Sequence, residues 1–64
     1  MRAERRAAVE ALAKELLRTE RWRYGQAVFN AAYELYPAAA NLARGSAVDC
    51  FNNNERVPAF LDSL

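Results

Sequence analysis

Histidine is missing from all 64 residues. Its absence removes the usual general base, the partner that a catalytic cysteine needs, and the commonest metal ligand. Cysteine occurs once, at Cys50, so an internal disulfide and a cysteine-built zinc cage are both excluded. Nothing in the sequence supplies a base to activate that lone thiol, and a free cysteine ordinarily behaves as a small hydrophobe. Glycine is limited to Gly25 and Gly45, and neither sits in a phosphate-cradling motif. Asp49 and Glu55 flank an asparagine-rich turn, without the alternating acids and central glycine of a calcium loop. No apolar run approaches the roughly 20 residues that span a bilayer. The basic, then amphipathic N-terminus lacks the unbroken apolar core of a signal peptide. The expectation is a non-enzymatic protein with no cofactor, no metal and no membrane span, in a reducing, cytoplasmic setting.

Alanine is what the chain has in abundance. The hydrophobic share is 53%, but much of it is alanine, so large apolar side chains suffice for only one small core. Residues 1–64 are expected to form a single domain, and a chain this short buries only roughly 60% of its unfolded surface. Self-association or a partner would supplement such a core. Alanine loses no side-chain entropy in a helix, so the composition favours an all-α fold. The net charge of +1 creates no strong overall field toward nucleic acid or membrane.

"RAERRAAVEALAKELLRTER" reads as the first helix. At roughly 100° per residue, Ala8, Val9, Leu12, Ala13 and Leu16 share one apolar face. Arg2, Arg6, Glu10, Lys14, Arg18 and Arg21 run beside it, with Arg6–Glu10 and Glu10–Lys14 as opposite-charge i,i+4 pairs. "RWRYGQ" breaks the period, and Gly25 predicts a turn or helix junction there. The pattern resumes in "QAVFNAAYELY", where Val28, Phe29, Ala32, Leu35 and Tyr36 converge on one side. Pro37 ends that helix near Tyr36 and opens a short third one, "PAAANLAR", which Gly45 closes. Arg44 is expected to complement the negative end of that helix. Val57, Phe60, Leu61 and Leu64 fall at i, i+3, i+4 and i+7, predicting a fourth short helix capped by Asn54 or a neighbour, with Pro58 in its first turn. The expected architecture is a small all-α bundle of three to four short helices. "FNNNE" reads as an Asx-type turn, and Phe51 as an inward anchor between the third and fourth helices.

Two surfaces are candidates for binding. On the second helix Gln26, Asn30 and Tyr33 project from one side beside Glu34, with Arg23 just ahead. Short amides and a tyrosine suit a specific protein contact. Gln26 and Asn30 also admit a structural reading, in which they cap a helix end or bond to the backbone of the asparagine turn. On the first helix Arg2, Arg6, Lys14, Arg18 and Arg21, with Trp22 and Tyr24 close by, have the residue types that contact phosphates and stack on bases. Glu10 lies within that stripe, however, and the small core has a claim on Trp22. A helical oligomerisation unit, binding copies of itself, is a further alternative.

Two blocks carry a resemblance. Arg23, Gly25, Gln26 and Asn30 fit an Arg-x-Gly-Gln-x-x-x-Asn pattern, and Gly45, Ser46, Asp49 and Phe51 fit a Gly-Ser/Thr-x-x-Asp-x-Phe pattern. With the short apolar tail that follows, residues 21–61 resemble a group of short phage and prophage proteins. The first helix lies outside the match. What the resemblance implies is a setting: a small accessory protein of a mobile element that acts by binding. A helical unit without catalytic groups and with two candidate contact faces then suggests an interaction module whose partner is a host or defence protein.

Overall fold

The computed structural model describes residues 2–64, with the backbone alone for Arg2. Four helices make up the fold: α1 (Arg2–Thr19), α2 (Tyr24–Leu35), α3 (Pro37–Ala43) and α4 (Val57–Asp62). A single 3-10 turn, Asn54–Arg56, leads into α4, and no strand occurs among the described residues.

The first two helices pack mainly on each other through small side chains. Val9 and Ala13 of α1 meet a face of α2 on which Ala27, Val28, Ala31 and Ala32 are all fully buried. Alanine at these positions leaves little to keep two backbones apart. Leu12, Leu16 and Leu17 line the margin of this contact, and Trp22 packs against the core while staying half-exposed. The expected face of α1 is therefore present, and Arg6 pairs with Glu10 at 3.4 Å. Arg6 also reaches Asp62 of α4 at 2.8 Å. Both are exposed pairs of the kind that adds at most about 1 kcal/mol.

An aromatic cluster fills the other end. The rings of Phe29 and Phe60 lie 5.4 Å apart, and Phe51 meets Phe29 edge-on at 5.8 Å. Phe60 is fully buried, with Val57, Leu61 and Leu64 of the same amphipathic stripe beside it. Phe51 is only half-buried and braces the edge of Phe29, rather than wedging between α3 and α4 as expected. Leu35 also departs from expectation: it is 41% exposed, because the buried face of α2 is rotated toward its alanines.

The ends of the elements follow local chemistry. Pro37 opens α3, Pro58 lies in the first turn of α4, and Gly45 takes φ +74 just beyond α3, a conformation that side chains resist. Asn53 caps the 3-10 turn, its Oδ1 accepting from the Glu55 N–H at 2.9 Å.

The helix junction expected in "RWRYGQ" is present, with residues 20–23 outside both helices. The correction concerns the role of Gly25: it does not make the break but is buried in the first turn of α2, with a negative φ. Its requirement is steric, since a Cβ there would overlap the backbone carbonyl of Cys50 and crowd Asn54 Oδ1. The same junction supplies the cap that α2 lacks. Arg23, at the N-cap position, offers no side-chain bond, and Asn54 reaches in to accept from the Gly25 N–H at 2.8 Å. The Cys50 thiol donates to the Gly25 carbonyl at 3.3 Å.

Gly25→Ala is expected to lower stability by about 1–3 kcal/mol, most of what a core this small supplies. Asn54→Ala should cost about 1 kcal/mol, the value of a lost N-cap. Urea unfolding followed by circular dichroism reads both, and equal midpoints for Gly25→Ala and the parent would refute the close approach. By the same measurement Phe60→Ala, at about 3–5 kcal/mol, should leave no folded chain, whereas half-exposed Phe51→Ala should leave a folded one with a lower midpoint.

Candidate functional site

The segment between α3 and the 3-10 turn has no regular structure, yet its bonds are specified. Ser46 Oγ donates to the Ala43 carbonyl at 2.7 Å and accepts from the Val48 N–H at 3.2 Å. Asp49 brackets the loop, Oδ2 accepting from the Gly45 N–H at 2.7 Å and Oδ1 from the Phe51 N–H at 3.0 Å. Arg56 donates to the Asp49 carbonyl at 3.4 Å. The second sequence block thus works as a loop-folding device: glycine for the positive φ, serine and aspartate for orphan N–H groups, phenylalanine for the edge of Phe29.

Cys50 is fully buried in this device. Burial, reinforced by the neighbouring Asp49 carboxylate, pushes its pKa from an ordinary 9.0 up to about 11. At neutral pH it is therefore a protonated thiol, facing a backbone carbonyl rather than a base. Among the described residues no three cysteine or acidic side chains gather into a metal site.

Laid against α2, the loop leaves a groove of about 360 Å³. Phe29 is at its base, Asn30 and Tyr33 form the α2 wall, and Arg44, Asp49 and Phe51 form the loop wall. The two sequence blocks meet here. Arg44 was expected to offset the end of α3, but its guanidinium instead lies over two rings of α2. It stands 5.5 Å from the centroid of Phe29 and 5.3 Å from that of Tyr33. Tyr33 is 43% exposed. A second, more polar depression beside the asparagine turn has most of its groups committed to the loop itself, including Gly45, Ser46, Asp49 and Asn53.

Of the residues proposed for protein contact, Asn30 and Tyr33 line the groove. Gln26 is half-buried nearer the start of α2, Arg23 is exposed at its N-cap position, and Glu34 is exposed outside the groove. Neither Gln26 nor Asn30 caps a helix or bonds to the asparagine turn among the described residues; Asn54 has that duty for α2. Arg44 and Phe29 are groove residues that the sequence reading assigned elsewhere. Their one signal was the second block, which begins immediately after Arg44.

The basic stripe of α1 is partly neutralised. Arg6 is held by Glu10 and Asp62, and Arg18 by Glu15 at 3.0 Å. Glu10 takes Arg6 rather than Lys14, leaving Lys14 and Arg21 exposed without an ion pair among the described residues. The side chain of Arg2 lies outside the described residues. No helix is long and apolar enough to cross a membrane among the described residues. Comparison with protein-family models, with curated proteins and with solved structures finds no match to this chain.

The raised Cys50 pKa sets a pH dependence. The unfolded chain ionises this thiol near 9.0 and the folded chain only near 11, so stability present below pH 9 is lost as pH rises through that window. The loss attributable to Cys50 is of order 2 kcal/mol by its upper end. Urea midpoints from pH 8 upward should fall more steeply for the parent than for Cys50→Ser, and parallel slopes would refute the assignment.

Proposed function

We propose that this chain is a non-enzymatic protein-interaction module that binds through the exposed side of α2 and the groove beside it. The observation that carries the reading is the state of Asn30 and Tyr33. Both line a groove whose opposite wall is held by bonds within the loop, and the Asn30 side chain makes no hydrogen bond to the rest of the chain among the described residues. An amide and a phenol presented on a helix, against a loop that need not reorganise, lose little entropy on contact. Gln26, Arg23 and Glu34 extend the same side of α2 and complete the proposed contact surface.

In this reading Cys50 is not a nucleophile, since the thiol is buried, protonated and bonded to a backbone carbonyl. The resemblance of the two sequence blocks supports a phage or prophage setting, with a host or defence protein as the partner that the chain modulates in the cytoplasm. No observation favours the basic stripe of α1 as a second reading, because acids occupy two of its arginines. Self-association is covered by the same test, which identifies whatever occupies the face.

The test is a photo-crosslinker placed on the face. With Tyr33→p-benzoylphenylalanine, irradiation in extract of the source cells should yield an adduct of one defined mass, absent with the crosslinker at exposed Ala38. Asn30→Ala should weaken that adduct several-fold without changing the unfolding midpoint by more than about 0.5 kcal/mol. Identical adducts at positions 33 and 38 would overturn the assignment of the face.

A further inference from the structure

The groove holds a cation that no ion pair occupies among the described residues. Arg44 is exposed, its guanidinium lies over both Phe29 and Tyr33, and no carboxylate pairs with it among the described residues. Asp49 lines the same groove, but each of its oxygens already accepts a backbone N–H of the loop. The two rings orient the guanidinium and restrict its rotamers, leaving its N–H donors for an incoming acceptor. A surface arginine must be ordered before it grips a partner, and stacking on two rings lowers that cost.

From this arrangement we infer that the groove takes an acidic side chain from the partner protein. The Asp or Glu carboxylate is seated on Arg44, and an apolar neighbour in the same segment rests on Phe51 and Tyr33. The inference rests on the reading of this face as the protein-binding face, and names the chemistry it selects. The planar fork of a guanidinium matches a carboxylate through two parallel N–H···O bonds. Asn30, on the opposite wall, offers both a donor and an acceptor to the backbone of the segment that carries the acid. Charge favours a carboxylate over a nucleic-acid backbone. The exposed cations Lys14 and Arg21 lie on or just beyond α1 and outside the groove. Binding a phosphate backbone draws on several cations at once, and this groove presents one.

The experiment uses 3-phenylpropionate as a probe that joins a carboxylate to an apolar ring, with 3-phenylpropionamide as its uncharged counterpart. Each is titrated into the full ¹⁵N-labelled chain while amide resonances are followed; inorganic phosphate and a single-stranded oligonucleotide form separate arms. The acid should shift the amides of Asn30, Tyr33, Gly45 and Phe51, and the amide should bind at least about tenfold more weakly, the loss expected when a charged hydrogen bond becomes neutral. Arg44→Gln should abolish the preference for the acid, and Arg44→Lys should restore it only in part. Should Arg44→Gln fail to fold, the acid-against-amide comparison on the parent chain still decides. Equal binding of acid and amide, shifts confined to α1, no shift at all, or tighter binding of phosphate or oligonucleotide would each overturn the inference. A photo-crosslinked adduct at position 33 that survives Arg44→Gln would also overturn it while leaving the protein-binding face intact.

Discussion

The fold depends on one close approach of two backbones, at Gly25. The Cys50 carbonyl occupies the space that a Cβ would fill, and Asn54 reaches the same residue with its side-chain oxygen. Because the thiol of Cys50 also donates to the Gly25 carbonyl, this glycine is gripped through its N–H, its C=O and its missing side chain. A chain with a small core has few ways to hold a long irregular segment against a helix. Here the segment is docked by its backbone, and every later feature inherits that position. The Asn54–Arg56 turn is carried to the start of α2, α4 follows it, and Phe60 is delivered to Phe29.

The groove is a consequence of the same docking. Once Cys50 is anchored beneath α2, the residues just before it must span from the end of α3 across the flank of that helix. Ser46 and Asp49 satisfy the N–H groups of Gly45, Val48 and Phe51 along the way, so the crossing is specified although it is neither helix nor strand. A wall built in this way keeps its distance from Asn30 and Tyr33, and Arg44 is stretched across the rings instead of dispersing into solvent. The geometry that stabilises the loop is also what pre-arranges the binding chemistry.

The remainder of the molecule shows how a small chain economises on core. Alanines on α1, α2 and α3 let the helices approach closely, and the largest buried side chains gather where Phe29, Phe51 and Phe60 meet. Charged residues are largely disposed of on α1, where acids answer arginines at i,i+3 and i,i+4 spacing and across to Asp62. What is left exposed and apolar is modest, with Leu42 the most conspicuous at 85%.

Local chemistry was legible in the sequence because its causes lie within a few residues of their effects. Alanine content and the spacing of Val9, Leu12, Ala13 and Leu16 determined α1, Pro37 divided α2 from α3, Gly45 ended α3, and the i, i+3, i+4, i+7 stripe determined α4. Longer-range decisions were not legible. Gly25 read as a break because glycine usually supplies conformational freedom, whereas the need here is for space beside a carbonyl that arrives from residue 50. Asn54 or a neighbour read as the cap of the fourth helix; the neighbour Asn53 caps its 3-10 lead-in while Asn54 caps α2, and Arg44 read as a counter-charge for α3 until two rings of α2 came within its reach. Leu35 was assigned inward by periodicity alone, and the packing of the α2 alanines turned it out. Sequence by itself determined which segments are helical and that the chain has no histidine and a single cysteine. Only the tertiary structure decided which polar groups are consumed in holding the chain together and which, like Asn30 and Arg44, are left to meet something else.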